Sequence, residues 1–265
     1  MSLASSPRAV ITGAGSGFGR ALALELAARR ASLVLSDVNL AAVEETAALA
    51  EKAGAQATRA LRCDVTQIAE VEALAAACEG PIDLVVNNAG VSASGLVGEL
   101  PLADWRWTLD VDLYGVIHGC HVFVPILRRQ QRGHLLNVAS AAGLVSAPRM
   151  AAYNVAKAGV IALSETLAAE LHGSGVGVTV LCPTFFKTNI AAAGRYTDGA
   201  SRALATKLVD GGKTAEGVAR AALASVARGQ LYCVPMADGR WFWRIKRAFP
   251  QLFPRLVVAA VERVK

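Results

Sequence analysis

Tyr153 and Lys157 are the residues in this chain best placed to do chemistry together. They stand four positions apart, so on a helix both project from one face, one turn from each other. A free tyrosine titrates at about 10 and a free lysine at about 10.4. An ammonium beside a phenol favours the phenolate and lowers its pKa, giving a proton acceptor that works near neutral pH. The pair alone says little, since Tyr and Lys at this spacing recur on solvated helix faces. A working base also needs a cofactor, a second hydroxyl and a pocket.

A cofactor site is written near the N-terminus. Arg8–Thr12 reads as a short apolar strand, and Gly13-Ala14-Gly15-Ser16-Gly17-Phe18-Gly19 leads from it into an Ala/Leu-rich helix over Arg20–Arg30. Strand, glycine-rich turn and helix N-terminus together bind phosphate: the backbone can approach, amides point outward, and the helix dipole favours an anion. Ser32–Asp37 is the next strand, and its terminal carboxylate falls 18 positions after Gly19. Asp37 there would accept hydrogen bonds from an adenosine ribose and repel a 2′-phosphate. Val38 follows it and Ser16 occupies the turn, so no cation is at hand for that phosphate, which selects NAD over NADP. The alternative is that Asp37 caps the following helix.

These stretches sit in a chain of 265 residues, 54% apolar and 18% charged, long enough for one well-buried α/β domain. The formal charge is +6, but basic residues are dispersed until the C-terminus, so no nucleic-acid partner is expected. Five cysteines, an odd number without a close pair, suit reduced thiols and a cytoplasmic setting. Residues 1–7 lack the apolar run of a signal peptide, and no run of about 18 apolar residues marks a span. Helices are expected over Leu40–Ala53, Gln67–Cys78, Trp105–Arg129 and Ala151–Leu171, with strands over Ala57–Cys63, Leu84–Val86, Gly133–Ala139, Val176–Leu181 and Leu231–Val234. Alternating strands and helices imply an α/β fold with a parallel sheet covered on both faces. Ligands bind such sheets beyond the carboxyl ends of the strands, where Gly13–Gly19, Asp37, Asp64 and Asn88 all fall. His118 and His121 lie three apart on a helix. No third ligand has suitable spacing, so ordinary helix or interface histidines are favoured and no metal is assigned.

Thr12-Gly-x-x-x-Gly17-x-Gly19, Asn87-Asn88-Ala89-Gly90, Ser140, Tyr153-x-x-x-Lys157 and Pro183…Thr188 together resemble the short-chain dehydrogenase/reductase family, over roughly Arg8 to Val234. The resemblance implies a single Rossmann-type domain, a doubly wound parallel sheet in three α/β/α layers, with a nicotinamide cofactor, alcohol/carbonyl interconversion and a homodimer or homotetramer. Tyr153 would be the general base in oxidation and the acid in reduction. Lys157 would hold the nicotinamide ribose and lower the Tyr153 pKa, and Ser140 would hydrogen-bond the substrate oxygen. Gly13, Gly15, Ser16, Gly17, Phe18 and Gly19 would face the pyrophosphate, Asp37 the ribose, and Asp64 with Val65 the adenine. Asn88, Ala89 and Gly90 would line the cofactor, and Phe186 and Thr188 would reach the carboxamide end. Where the family often has Asn in a Val-Asn-Leu context, holding a water beside the lysine, this chain has Asp112. An ionised aspartate could orient a water only as an acceptor, and its charge would oppose ionisation of Tyr153. Alternatively Asp112 caps or bridges locally.

Asn189–Gly212 has the small-residue composition of a mobile lid, with Arg195 and Arg202 expected in solvent. Phe185, Phe186, Leu144, Val145 and Met150 favour an apolar alcohol or ketone. Thr214 is expected to cap a helix. Residues 1–238 read as the NAD-binding catalytic domain and 239–265 as a basic aromatic extension. That extension suits peripheral membrane contact or a lipid-like substrate entrance. It equally suits a helix packed on the core or on a neighbouring subunit, broken by Pro250 and Pro254. The leading function is an NAD-dependent oxidoreductase on a secondary alcohol or ketone. The rival is a dinucleotide sensor or scaffold that keeps the fold without turnover.

Overall fold

The computed structural model describes residues 5–262; residues 1–4, and the end of the basic extension at 263–265, lie outside it. Seven strands form one parallel sheet: β1 (Arg8–Thr12), β2 (Ser32–Asp37), β3 (Ala57–Arg62), β4 (Leu84–Asn87), β6 (Gly133–Val138), β7 (Val176–Leu181) and β9 (Tyr232–Cys233). Their order is β3-β2-β1-β4-β6-β7-β9. The chain winds outward from β1 to β3 and returns to pair β4 with β1, so the order reverses between those two strands. The crevice of a doubly wound sheet opens at that reversal. A separate two-stranded pairing joins β5 (Ala93–Ser94) to β8 (Arg195–Tyr196).

Alternate residues of the central strands feed two cores. Ala9, Ile11, Leu33 and Leu35 pack beneath α1 (Gly17–Ala27), α2 (Leu40–Lys52) and α9 (Ala215–Ala227). Val10, Val34, Val85 and Leu135 pack on the other face, beneath α3 (Ile68–Ala76), α5 (Gly115–Gln130) and α7 (Ala151–Glu170). Both faces are covered, which is why these strands are almost wholly apolar. Thr214 caps α9 by accepting from Gly217 N.

The first helix starts at Gly17, three residues before its expected start, because the glycine turn itself winds into the helix, and it ends at Ala27. The long helical stretch runs over 102–130 in three pieces: α4 (Leu102–Leu109), a π-helical turn over Asp110–Tyr114, and α5. By length and composition it could cross a membrane. Here it packs on β4, β6 and α7, with Asp112 buried at its middle. The short α6 (Ala141–Val145), α8 (Gly199–Asp210), α10 (Ala237–Ala248) and α11 (Phe253–Glu262) complete the chain. Pro250 lies between the last two helices, and Pro254 is tolerated in the first turn of α11.

One polar thread crosses the second core. Asn87 Nδ2 donates to Asn137 Oδ1 (2.8 Å), Asn137 Nδ2 to Ser164 Oγ (3.0 Å), and Ser164 Oγ to the Val160 carbonyl (2.7 Å). All three side chains are buried, so each must find a partner within the protein. Helix α5 crosses them at Gly119, where an added methyl group would stand 2.0 Å from Asn87 Oδ1.

Candidate active site

The ends of β1 and β4 are tied together at the sheet's reversal. Thr12 Oγ1 accepts from the amides of Asn88 (3.0 Å) and Ala89 (3.2 Å). Asn88 Nδ2 donates to the carbonyls of Thr12 (2.8 Å) and Gly13 (2.9 Å). The Asn88 amide therefore braces the glycine turn, a role its position in the sequence did not reveal, while the residue still lines the cleft. Gly13 has φ +63°, and a Cβ there would meet Ala89 Cα at 2.7 Å, so only glycine fits. Ser16 precedes α1 without capping it through its side chain. The helix thus presents uncapped first-turn amides to the cleft, an arrangement that suits an anion.

Asp37 Oδ2 accepts from Gly15 N (2.9 Å), and its Oδ1 from Asn39 N (3.0 Å). Asn39, not Asp37, caps α2. Arg20, the cation beside this corner, is taken up by Glu45 (2.7 Å) and Thr46 (2.9 Å). Asp64 Oδ1 accepts from the amide and hydroxyl of Thr66, and the Val65 carbonyl lies 2.8 Å from His118 Nδ1. Gly13, Ser16, Gly17, Phe18, Asp37, Asp64, Val65, Asn88, Ala89, Gly90, Phe186 and Thr188 all border one cleft of about 1870 Å³. Gly15 and Gly19 do not border it; an added methyl group on Gly19 would meet the Gly13 carbonyl at 2.3 Å, so this glycine closes the turn on itself.

Ser140, Tyr153 and Lys157 border the same cleft. Ser140 follows β6 and caps α6, its Oγ accepting from Ala142 N at 3.1 Å. Tyr153 is buried, and the Ser140 hydroxyl bears on its phenol. Lys157 Nζ donates to the Val138 carbonyl (3.2 Å), lies 3.4 Å from Asp112 Oδ2, and stands 5.5 Å from the centre of the Tyr153 ring. Asp112 is fully buried in the π-helical turn. Its Oδ1 accepts from Val91 N at 2.7 Å, whereas Oδ2 has no hydrogen-bond partner among the described residues.

The electrostatics differ from expectation. Burial pushes the Tyr153 phenol up, the Asp112 charge pushes it further, and the Ser140 hydroxyl opposes both. The Lys157 ammonium, the cation expected to lower the phenol, lies 3.4 Å from the Asp112 carboxylate. Burial likewise raises Asp112, opposed by Lys157 and the Val91 amide. Both readings of Asp112 thus have a counterpart: it bridges locally to Val91, and it bears on the Tyr–Lys pair.

The cleft is also lined by residues of α8 and the C-terminal helices. Val145, Met150, Phe185 and Phe186 border it as expected, but Leu144 turns into the core. Trp107, Tyr196, Phe242, Phe253 and Val257 also border it. No local motif marks these residues, which come together only through tertiary packing. The segment expected as a lid is anchored in its first half, at Arg195 and Asp198. Arg195 is not simply solvated: it pairs with Asp104 at 2.8 Å and stacks over Trp107 at 3.9 Å. Arg149 pairs with Asp198, which caps α8 by accepting from Ser201 N. Arg202 remains at the surface near the Tyr196 ring.

A family model described as short chain dehydrogenase matches residues 7–198, and the chain belongs to the short-chain dehydrogenase/reductase family. SadH of Mycobacterium tuberculosis, named as an oxidoreductase, is 34% identical over 266 residues, covering 96% of this chain and 95% of the relative. D-threitol dehydrogenase of Mycolicibacterium smegmatis is 37% identical over 187 residues, covering 69% and 71%. Among solved structures, a family member from Burkholderia phymatum in complex with NAD superposes with a TM-score of 0.88 at 37% identity, covering 93% of this chain and 95% of that one.

Proposed function

We propose that this protein is an NAD-dependent dehydrogenase/reductase that interconverts an apolar secondary alcohol and its ketone. The observation that carries the reading is the meeting of Ser140, Tyr153 and Lys157 with the glycine turn and Asp37 on one cleft. The residues fit a dinucleotide: uncapped α1 amides suit its pyrophosphate, and Asp37 suits an unphosphorylated ribose and repels a 2′-phosphate. The related NAD complex supports the same choice. A bound NAD supplies the hydride acceptor.

The remaining work falls to side chains. Ser140 Oγ orients the substrate oxygen and donates to it as negative charge develops. Tyr153 takes the hydroxyl proton in oxidation and returns it in reduction. Lys157, positioned by Val138 and Asp112, would hold the cofactor ribose with its ammonium. The aromatic and aliphatic wall beyond Tyr153 excludes water and favours an apolar substrate.

An NAD-coupled screen of secondary alcohols tests the reading. Turnover is expected with at least one apolar alcohol, falling about 10²–10⁴-fold in Tyr153→Phe while NAD affinity is retained. NAD binding with no turnover across the panel would instead favour a non-catalytic sensor.

A further inference from the structure

Residues 239–265 contain seven basic side chains and one acid, so this segment holds the entire formal charge of +6 and residues 1–238 are neutral. Within 239–258 there are five cations, Arg240, Arg244, Lys246, Arg247 and Arg255, and no acid. None forms an ion pair among the described residues. The charge belongs to two amphipathic helices. On α10, Arg240, Arg244 and Arg247 recur along the exposed side with Trp241 next to them, 59% exposed. At the joint and along α11, Phe249, Leu252, Leu256 and Val258 are each about half exposed.

The opposite sides of the same helices are committed inward. Trp243 stacks on Tyr232 with ring centres 4.8 Å apart, Lys246 Nζ donates to the Leu144 carbonyl at 2.7 Å, and Phe253 is buried. Phe242 packs edge-on to Phe253 and, with Val257, borders the cleft. Two helices thus border one side of the cleft, with Phe242, Phe253 and Val257 towards it and arginines with large apolar side chains on the outside.

We propose that the exposed side of α10 and α11 docks on an anionic lipid bilayer. Large apolar side chains beside arginines, with acids confined to Asp238 in the first turn of α10 and Glu262 at the end of α11, match a helix lying in the membrane interface. Charge decides against a second copy as the occupant, because a two-fold contact would set the arginines of one protomer against those of its partner. Resting on the proposed function, the same surface would bring an apolar substrate from the bilayer to the adjoining cleft.

Flotation of the full chain with phosphatidylcholine vesicles, with and without phosphatidylglycerol, tests the docking. Binding is expected only to the anionic vesicles and is released by salt. Each arginine near such a surface is worth about fivefold in partition, so Arg244→Glu/Arg247→Glu/Arg255→Glu lowers binding by about 100-fold or more. Trp241→Ser, a single exposed change, weakens binding and makes it easier to release with salt, which serves if the triple variant fails to fold. Equal binding to both vesicle types, no binding, or binding indifferent to salt overturns the proposal. So does a face closed by self-association, seen as an oligomer that the triple variant dissociates without any vesicle binding in the parent. Turnover of a soluble alcohol without vesicles reads the dehydrogenase function separately, so the two ideas can fail independently.

Discussion

Replacing Asp112 by Asn removes one buried charge from beside the reactive pair. Lys157 Nζ lies 3.4 Å from the carboxylate and 5.5 Å from the Tyr153 ring centre, so carboxylate and ring are at most about 9 Å apart. At an effective dielectric of ~20, a unit charge at that limit raises the cost of phenolate by roughly 2 kcal/mol. That energy corresponds to about one and a half pH units. The sign follows from the arrangement: the carboxylate pushes Tyr153 up, so its loss brings the phenol down and leaves the ammonium unopposed. The acid limb of kcat/KM for alcohol oxidation should therefore move to lower pH by about one unit or more in Asp112→Asn. The assay is a pH–rate profile with an alcohol from the NAD-coupled screen, alongside a melting curve to confirm that the variant folds. Superimposable profiles, or an acid limb moved upward, would refute the reasoning.

Gly119→Ala places a methyl group 2.0 Å from Asn87 Oδ1 and disturbs the buried amide thread. A loss of about 2–4 kcal/mol is expected in urea unfolding, from overpacking and an unsatisfied amide. His134 is buried with Nε2 on Thr179 Oγ1, and burial lowers its pKa to about 4. The unfolded side chain titrates near 6.5, so this contribution is complete above that value and declines as pH falls towards 4, by about 3 kcal/mol in all. His134→Gln should flatten that part of the stability profile, and an unchanged slope would count against it. Asp37→Ser should weaken NAD by about tenfold and reduce its advantage over NADP, measured by fluorescence titration; an unchanged ratio would remove Asp37 from cofactor choice.

The parts of the site legible in the sequence were the local ones. A glycine turn after an apolar strand, a carboxylate ending the next strand, and Tyr153 one turn from Lys157 each follow from spacing on a single element. What escaped depends on packing between distant segments. The pull of Lys157 on Tyr153 follows from one helix face, whereas the upward push of burial and Asp112 arises only from packing. Asn88 was legible as a residue of the cleft, but not the brace its side chain makes to Thr12 and Gly13. Arg195 looked solvated because nothing nearby in sequence announces Trp107 or Asp104. The π-helical turn that buries Asp112 has no compositional mark, since one extra residue in a turn leaves the apolar pattern nearly intact.

The Asn87–Asn137–Ser164 thread has a consequence for fidelity of assembly. A parallel strand can slip by two residues and keep every aliphatic side chain on its proper face, so an all-hydrocarbon sheet tolerates several alignments. A matched pair of amides tolerates one, because any slip would strand both of them in a dry interior. Asn87 directly precedes Asn88, Asn137 stands three residues before Ser140, and Ser164 lies two turns beyond Lys157 on the same helix. Three side chains that border no part of the cleft therefore act as a key, setting how far along their axes two strands and a helix come to rest, and with them every reactive atom those elements carry.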